Sequence, residues 1–293
     1  MFSTRALDNL NSRGRSFTAY LLYVKECLGE GLENIQSRRS LALSIVRYST
    51  FGQATILVAL AFLYGTSDLQ RYTDVVAYSL AGLVLLVAGL ALHVGLLHGK
   101  TGELTATLGL ANRLTIARLL VVIPLVALIL HDRLVAALIV YVLCSVTDVL
   151  DGIVARRNGE RTEFGAVMDP VADIVLTAGV FAALFARDMV PGWVFAILMV
   201  RYVSLFAGWL VLFFAVGPIK FQPTTIGKIA GVLQAVGAII IIALASSGLE
   251  WHDDMGRILF PFLGMVFGSV IVSQALLGAR HIRRGILDAG FDG

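Results

Sequence analysis

Four aspartates lie close together in the middle of the chain: Asp148, Asp151, Asp169 and Asp173. No histidine or cysteine lies between the first and the last of them. Carboxylate oxygens without nitrogen or sulfur ligands suit Mg²⁺ or Mn²⁺, and less decisively Ca²⁺. Two such cations neutralise a site of this charge and clamp the oxygens of a diphosphate. The residue types therefore predict a site for two Mg²⁺ or Mn²⁺ ions that acts on phosphate groups.

The first two aspartates share one face of a predicted helix with two very small residues. A spacing of i, i+3, i+4 and i+7 places four residues on one helical stripe. They are Asp148, Asp151, Gly152 and Ala155. The small residues leave a groove beside the carboxylates in which a ligand can approach the backbone. Arg156 stands next to this groove and is a candidate phosphate partner.

The second pair of aspartates repeats this arrangement on the following helix. Gly165, Asp169 and Asp173 are spaced i, i+4 and i+8. The short polar loop between the helices predicts an antiparallel return, which brings the two faces together. Since Pro170 is tolerated only near the start of a helix, either Asp169 caps this helix or the helix is kinked. Capping charges at helix ends would explain one or two of the aspartates, but not two facing pairs.

Membrane helices are the elements that must hold these side chains. The 293 residues are 58% hydrophobic and 15% charged, with a mean hydropathy of +0.84, whereas soluble domains have about 45–50% apolar and about 25% charged residues. We predict an all-α integral membrane protein with eight spans, each approaching the ~20 residues that cross a bilayer. The spans lie near residues 49–65, 75–97, 114–131, 134–154, 168–187, 190–215, 226–247 and 258–279.

Basic residues are distributed unequally between the predicted loops. Eighteen lysines and arginines lie on the side of the amino-terminal tail and the aspartate loop, and four lie on the opposite side. Cytoplasmic loops carry such an excess, so we expect both termini and the aspartates in the cytoplasm. The net charge of +3 then reflects topology and not nucleic-acid binding.

A polar stretch near residue 100 divides the chain. Residues 1–100 contain a basic tail and two accessory spans, and residues 101–293 contain a six-span unit that holds the aspartates. Within the tail, the segment 17–28 is either an amphipathic helix at the membrane surface or part of a partly ordered cytoplasmic tail.

The fixed positions of the aspartate stretch resemble a family signature. The pattern D-x2-D-G-x2-A-R-x8-G-x3-D-x3-D of the CDP-alcohol phosphotransferases is matched here without a gap. The chance of such a match is on the order of 10⁻¹⁰ per start position at average residue usage. The resemblance covers roughly residues 110–280 and makes 101–293 the expected catalytic domain. Its local sequence is closest to that of phosphatidylglycerophosphate synthases.

The resemblance implies an enzyme of phospholipid biosynthesis. Such an enzyme transfers a phosphatidyl group from CDP-diacylglycerol to an alcohol and releases CMP. The metal ligands implied by motif position are Asp148, Asp151, Asp169 and Asp173. Asp173 would also act as the base that takes the acceptor's hydroxyl proton. The resemblance further implies a homodimer, and we expect it in the cytoplasmic membrane of a bacterium.

Donor binding is implied for a second set of residues. Gly152, Ala155 and Gly165 would make room for the cytidine, and Arg156 would contact the donor's phosphates. The segment that opens the third span is similar to the N-x-L-T-x-x-R segment of many members, which frames the nucleotide pocket. We therefore expect Thr115 or Arg118 to contribute to this pocket.

The acceptor is the open part of the prediction. Arg201, in the middle of the sixth span, must face the protein interior or water, and Lys228 resembles a lysine of phosphatidylglycerophosphate synthases. Together they would hold an anionic acceptor, with glycerol 3-phosphate as the best guess. Ile174 departs from the lysine that usually follows the fourth aspartate in that branch. Inositol, inositol phosphate and phosphatidylglycerol therefore stay open as acceptors, and an ion or metal transporter is the alternative of another class.

Overall fold

The chain is entirely helical wherever its regular structure is described. The computed structural model describes residues 17–37, 39–65, 68–92, 109–158, 163–215, 225–248 and 255–289. The helices in these ranges are α1 Phe17–Ser37, α2 Arg39–Tyr64, α3 Leu69–Leu92, α4 Leu110–Leu130, α5 Leu134–Asn158, α6 Glu163–Ala186, α7 Gly192–Ala215, α8 Thr225–Ser246 and α9 Gly256–Ala289. The predicted all-α fold is confirmed.

Each of the eight predicted spans corresponds to one of the helices α2 to α9. Six of these helices are long and apolar enough over their described residues to cross a membrane: α2, α3, α4, α6, α8 and α9. The described apolar parts of α5 and α7, Leu134–Thr147 and Gly192–Gly208, are shorter. The chain is a multi-pass membrane protein, and its two amino-terminal accessory spans, α2 and α3, are among the six.

Helix α2 begins at Arg39, well before the predicted span at 49–65. Leu41 and Ile45 lie one turn apart and are both buried, while Arg39 and Arg47 are exposed. This first part of the helix is amphipathic, so its mean hydropathy is too low to mark it as a span. The prediction therefore found the apolar part of α2 and missed its start.

Helix α1 resolves one open point of the amino-terminal tail, because the segment 17–28 is helical. Ala19 and Tyr23 are buried, whereas the apolar side chains of Leu21 and Leu22 are exposed. The helix thus has one face packed against protein and an apolar edge that is uncovered. Its contact with a membrane surface stays a prediction.

The described residues form two compact units, one up to Gly179 and one from Val180 onward. Helix α6 begins in the first unit and ends in the second. The predicted division near residue 100 follows the end of the accessory spans instead, and it stays a prediction about domains.

The apolar core of the first unit joins the accessory helices to α4 and α6. Its buried members are Leu41, Ala42 and Ile45 of α2, Leu90 of α3, and Ile116 and Leu120 of α4. Met168 of α6 packs against them. Because lipid is as apolar as these side chains, close van der Waals fit holds such helices together.

Glycines set the helix distances in the second unit. A methyl group at Gly237 of α8 would lie 2.7 Å from Cδ2 of Leu263 on α9. One at Gly264 would lie 2.6 Å from Cζ3 of Trp193 on α7. A larger residue at either glycine would have to displace the Leu263 side chain or the Trp193 ring. Helix α9 therefore packs against α8 and α7 at glycines, as membrane helices commonly do.

Candidate active site

Helix α6 carries Asp169 and Asp173 one turn apart on the same face. It begins at Glu163 and continues through Pro170 to Ala186. Asp169 therefore lies inside the helix, and the interpretation of this residue as the amino-terminal cap is wrong. Pro170 costs the helix one backbone hydrogen bond, since it has no N–H to donate to the carbonyl four residues earlier, at Ala166.

Helix α4 holds both carboxylates through hydrogen bonds. Thr115 Oγ1 donates to Oδ1 of Asp169 at 2.6 Å, and Arg118 Nη1 donates to Oδ1 of Asp173 at 2.8 Å. The partners are separated by 54 and 55 residues in the chain. This nearly constant offset means that α4 and α6 run parallel, with the two polar residues of one matching the two aspartates of the other.

Helices α4 and α6 also contact each other beyond the aspartates, at Gly179 of α6. A methyl group at Gly179 would lie 3.2 Å from the side chains of both Val122 and Val126. The two helices are therefore packed side by side from the level of Thr115 to that of Val126. This packing supports the two hydrogen bonds to Asp169 and Asp173.

Burial differs sharply between the two sides of these pairs. Thr115 is 1% exposed, and the Arg118 side chain is 3% exposed, whereas that of Asp173 is 55% exposed. Asp169 is exposed as well. A buried arginine is costly without a negative partner, and the charge-assisted bond to Asp173 supplies one. Buried donors thus orient carboxylates whose remaining surface faces outward.

Helix α5 carries the first two aspartates of the motif. Its backbone is helical through Asn158, so the predicted helical spacing of Asp148, Asp151, Gly152 and Ala155 is retained. The side chains of these residues and of Arg156 lie outside the described part of the chain. Gly165 is buried near the start of α6. The predicted meeting of the two striped faces stays a prediction.

The donor set fits the divalent cations that the resemblance implies. Asp169 and Asp173 offer the oxygen ligands that hard cations prefer, and the two side chains are one turn apart and exposed. Among the described side chains no group of three or more metal-ligating residues occurs, and Asp148 and Asp151 are not among those side chains.

Arg201 of α7 lies in a polar cluster in the second unit. It is 8% exposed and donates to Oε1 of Gln234 on α8. Gln234 Nε2 donates to the Tyr202 hydroxyl at 2.8 Å, and the Arg201 guanidinium lies 5.4 Å from the centre of the Tyr202 ring. Lys228 is exposed in the first turn of α8.

Sequence reasoning missed two features of these clusters. Gln234 was not predicted, although a single glutamine in the apolar run of α8 is a signal of buried polar contact. Thr115 and Arg118 were assigned to the nucleotide pocket, and their hydrogen bonds to the aspartates were not foreseen. Their contact with a nucleotide stays a prediction.

Comparison with known proteins gives a family match. A family profile described as CDP-alcohol phosphatidyltransferase matches residues 108–272, which is more than half of the chain. A protein of Rickettsia felis named CDP-diacylglycerol–glycerol-3-phosphate 3-phosphatidyltransferase is 30% identical over 166 residues, covering 54% of this chain and 91% of that protein. No solved structure matches the chain at a significant level.

Two further relatives are similar to part of the chain. A probable phosphatidylglycerophosphate synthase of Mycobacterium tuberculosis is 31% identical over 189 residues, covering 62% of this chain and 83% of that protein. A probable CMP-forming cardiolipin synthase of Drosophila melanogaster is 30% identical over 111 residues, covering 37% of this chain and 34% of that protein. With the profile match and the complete motif on helices α5 and α6, the chain belongs to the CDP-alcohol phosphatidyltransferase family.

Proposed function

We propose that the protein transfers the phosphatidyl group of CDP-diacylglycerol to glycerol 3-phosphate and releases CMP. Membership of the family makes it a phosphatidyltransferase, and the Rickettsia felis relative above is named for this donor and acceptor. The observation that carries the proposal is the orientation of Asp169 and Asp173 by Thr115 and Arg118. It supplies what phosphoryl transfer requires, which is charged groups held at fixed positions.

The reaction needs one base and one leaving group. The acceptor's hydroxyl oxygen forms a bond to the phosphatidyl phosphorus, and the bond from that phosphorus to the bridging oxygen of the diphosphate breaks. CMP leaves with the bridging oxygen and its electron pair. Asp173 takes the hydroxyl proton. Its bond to Arg118 at 2.8 Å supports this role, because a base works only when it is held within reach of the proton.

Two Mg²⁺ or Mn²⁺ ions would be held by the four aspartates of the motif, Asp148, Asp151, Asp169 and Asp173. When bound, such ions neutralise the charge of the diphosphate and of the group in transfer. Thr115 orients Asp169 for this role from the buried side of α4. The oxygen-only donor set supports Mg²⁺ or Mn²⁺ over softer metals.

The donor's nucleotide would lie along the small residues of the motif. Gly152, Ala155 and Gly165 make room for the cytidine, and Arg156 contacts the phosphates. The guanidinium of Arg118 is buried and bonded to Asp173. This supports a role of Arg118 in positioning the base, in addition to a contact with the donor.

Arg201 and Lys228 would bind the phosphate of the acceptor. Gln234 holds the Arg201 guanidinium through its amide oxygen, which fixes its direction without neutralising its charge. A positive charge kept in this way can attract an anionic acceptor, so a phosphorylated alcohol is favoured over free inositol. Ile174 and the similarity to a cardiolipin synthase keep phosphatidylglycerol as the second acceptor to test.

We further propose that the active site and both termini face the cytoplasm, in the inner membrane of a bacterium, and that two copies form a homodimer. The excess of basic residues on one side of the predicted spans supports the orientation. A site near that surface lets a lipid-linked donor enter from the leaflet while a soluble acceptor enters from water. The family match favours this enzyme over the transporter alternative.

CMP release tests the proposed function. Purified protein is incubated with CDP-diacylglycerol, Mg²⁺ or Mn²⁺, and one acceptor at a time from glycerol 3-phosphate, inositol, inositol phosphate and phosphatidylglycerol. We expect CMP release that depends on the metal and on glycerol 3-phosphate. Release with another acceptor alone would replace the proposed acceptor, and no release with any acceptor would contradict the function.

Replacing Lys228 tests the acceptor site. In Lys228→Ala we expect an apparent KM for glycerol 3-phosphate about tenfold higher, the loss of about 1.4 kcal/mol of binding, with kcat within about twofold. Arg257→Ala is the matched control, since Arg257 is an exposed basic residue at the start of α9. An unchanged KM in Lys228→Ala would remove this lysine from the acceptor site.

A further inference from the structure

The accessory helices α2 and α3 have no role that the family explains, because both lie before the matched residues 108–272. Their packing is nevertheless extensive. At one end, Ile45 of α2 and Leu90 of α3 share an apolar core with Ile116 of α4, and Met168 of α6 packs against the same core. Ile116 and Met168 are the direct chain neighbours of Thr115 and Asp169. The accessory pair therefore shares an apolar core with both helices of the site, next to the residues that form it.

The middle of the accessory pair approaches α4 through two glycines. A methyl group at Gly52 of α2 would lie 3.2 Å from Cδ1 of Leu120. At Gly82 of α3 it would collide with Cδ1 of Ile123. Both helices thus have a glycine in close contact with a side chain of α4. A larger residue at either glycine would press on Leu120 or Ile123 of α4.

At the far end, a polar clasp joins the turn after α2 to the turn after α4. The Tyr64 hydroxyl and His131 Nδ1 are 2.7 Å apart, and Arg133 Nη2 donates to Oδ2 of Asp68 at 2.7 Å. The His131 ring meets the Tyr64 ring edge-on, with 5.6 Å between centroids. Burial first, and then the positive charge of Arg71, lowers the pKa of His131, which favours the neutral ring in this clasp.

The contacts at both ends and in the middle fall on one helix, α4, and on the turn that directly follows it. The same helix carries Thr115 and Arg118. We propose that α2 and α3 are a positioning element of the active site: they fix α4 along its length, so that Thr115 and Arg118 stay in register with Asp169 and Asp173. The proposal rests on the proposed roles of these two aspartates. It assigns the accessory helices a catalytic effect without contact with any substrate.

Graded substitution of Gly52 tests this positioning in the full-length protein. In Gly52→Ala and then Gly52→Leu we expect a stepwise fall of kcat, by at least about tenfold for leucine, because a misplacement of about 1 Å costs up to about 100-fold. The KM for CDP-diacylglycerol stays within about twofold. Mn²⁺ binding, measured from the EPR signal of the free ion, weakens in parallel.

Gly89 of α3 provides the matched control, since a methyl group there meets nothing within 4 Å. Gly89→Ala and Gly89→Leu should keep the wild-type kcat and Mn²⁺ binding. A folded Gly52→Leu protein with wild-type kcat and Mn²⁺ binding would overturn the proposal, as would equal losses in the Gly89 series. Inactive wild-type protein would instead contradict the proposed function, so the two failures are distinguishable.

A second pair of variants keeps the proposal testable if Gly52→Leu does not fold. Tyr64→Phe removes the hydroxyl that binds His131 and thus loosens the clasp to α4. Tyr72→Phe removes a bond of the same kind to the Leu57 carbonyl oxygen, which lies within the accessory pair. We expect a lower kcat and weaker Mn²⁺ binding in Tyr64→Phe alone. Equal values in the two variants would mean that the clasp only stabilises the fold, and would overturn the proposal.

Discussion

Asp173→Asn is expected to lower the rate of CMP release by about 10²–10⁴-fold, which is the usual contribution of a general base. Asparagine has nearly the same shape as aspartate but cannot take the hydroxyl proton of the acceptor. It also offers Arg118 a neutral oxygen in place of a charged one, so the buried guanidinium loses its ion pair. The measurement is kcat with saturating donor, acceptor and metal.

Asp188→Asn is the control for this prediction. Asp188 is exposed in the turn after α6 and has a φ of 55°, a left-handed conformation that asparagine adopts as readily as aspartate. Its substitution should leave kcat unchanged. If Asp173→Asn retained the wild-type rate, Asp173 would not be the base, and another group would have to take the proton.

Arg118→Met is expected to lower kcat by about 10–100-fold, since hydrogen bonds to charged groups contribute about 1.5–3 kcal/mol. Methionine fills a similar volume in the buried site but removes the hydrogen bond from Arg118 Nη1 to the Asp173 carboxylate. Two roles of Arg118 predict different kinetics. If it positions Asp173, kcat falls and the KM for CDP-diacylglycerol is kept; if it binds the donor directly, that KM rises.

Two further proteins complete this test. Arg113→Met changes an exposed arginine of the same helix and should have the wild-type kcat. In the double variant of Arg118→Met and Asp173→Asn, the losses should not add, because both substitutions break the same pair. Additive losses would contradict the coupling of Arg118 with Asp173.

The helices and the four aspartates of the motif could be predicted from the sequence. The hydrogen-bond partners of Asp169 and Asp173 could not. Hydropathy located the spans because a bilayer imposes long apolar helices. It failed at the start of α2, where buried Ile45 and exposed Arg47 share one turn. Helical spacing located Asp169 and Asp173 on one face. Of the two alternatives left open for Asp169, the cap was wrong, since α6 starts six positions earlier at Glu163.

Which side chains pair between two neighbouring helices depends on how the helices are aligned along their axes. The sequence of each helix alone does not determine this alignment. The hydrogen bond from Thr115 to Asp169 requires α4 and α6 to run parallel at an offset of 54 residues. The bond from Arg201 to Gln234 requires a particular rotation of α7 against α8. Neither condition can be predicted from the spacing of residues within one helix. Both pairs were therefore found only in the structure.

The offset between Arg118 and Asp173 also orders events during synthesis. Helix α4 leaves the ribosome 55 residues before the aspartate that pairs with its arginine. At about 5–20 residues per second, Asp173 is made about 3–11 seconds after the arginine with which it pairs. Helices α2 and α3 have already been made at that moment. They are therefore available as the first protein surface against which α4 can settle in the membrane.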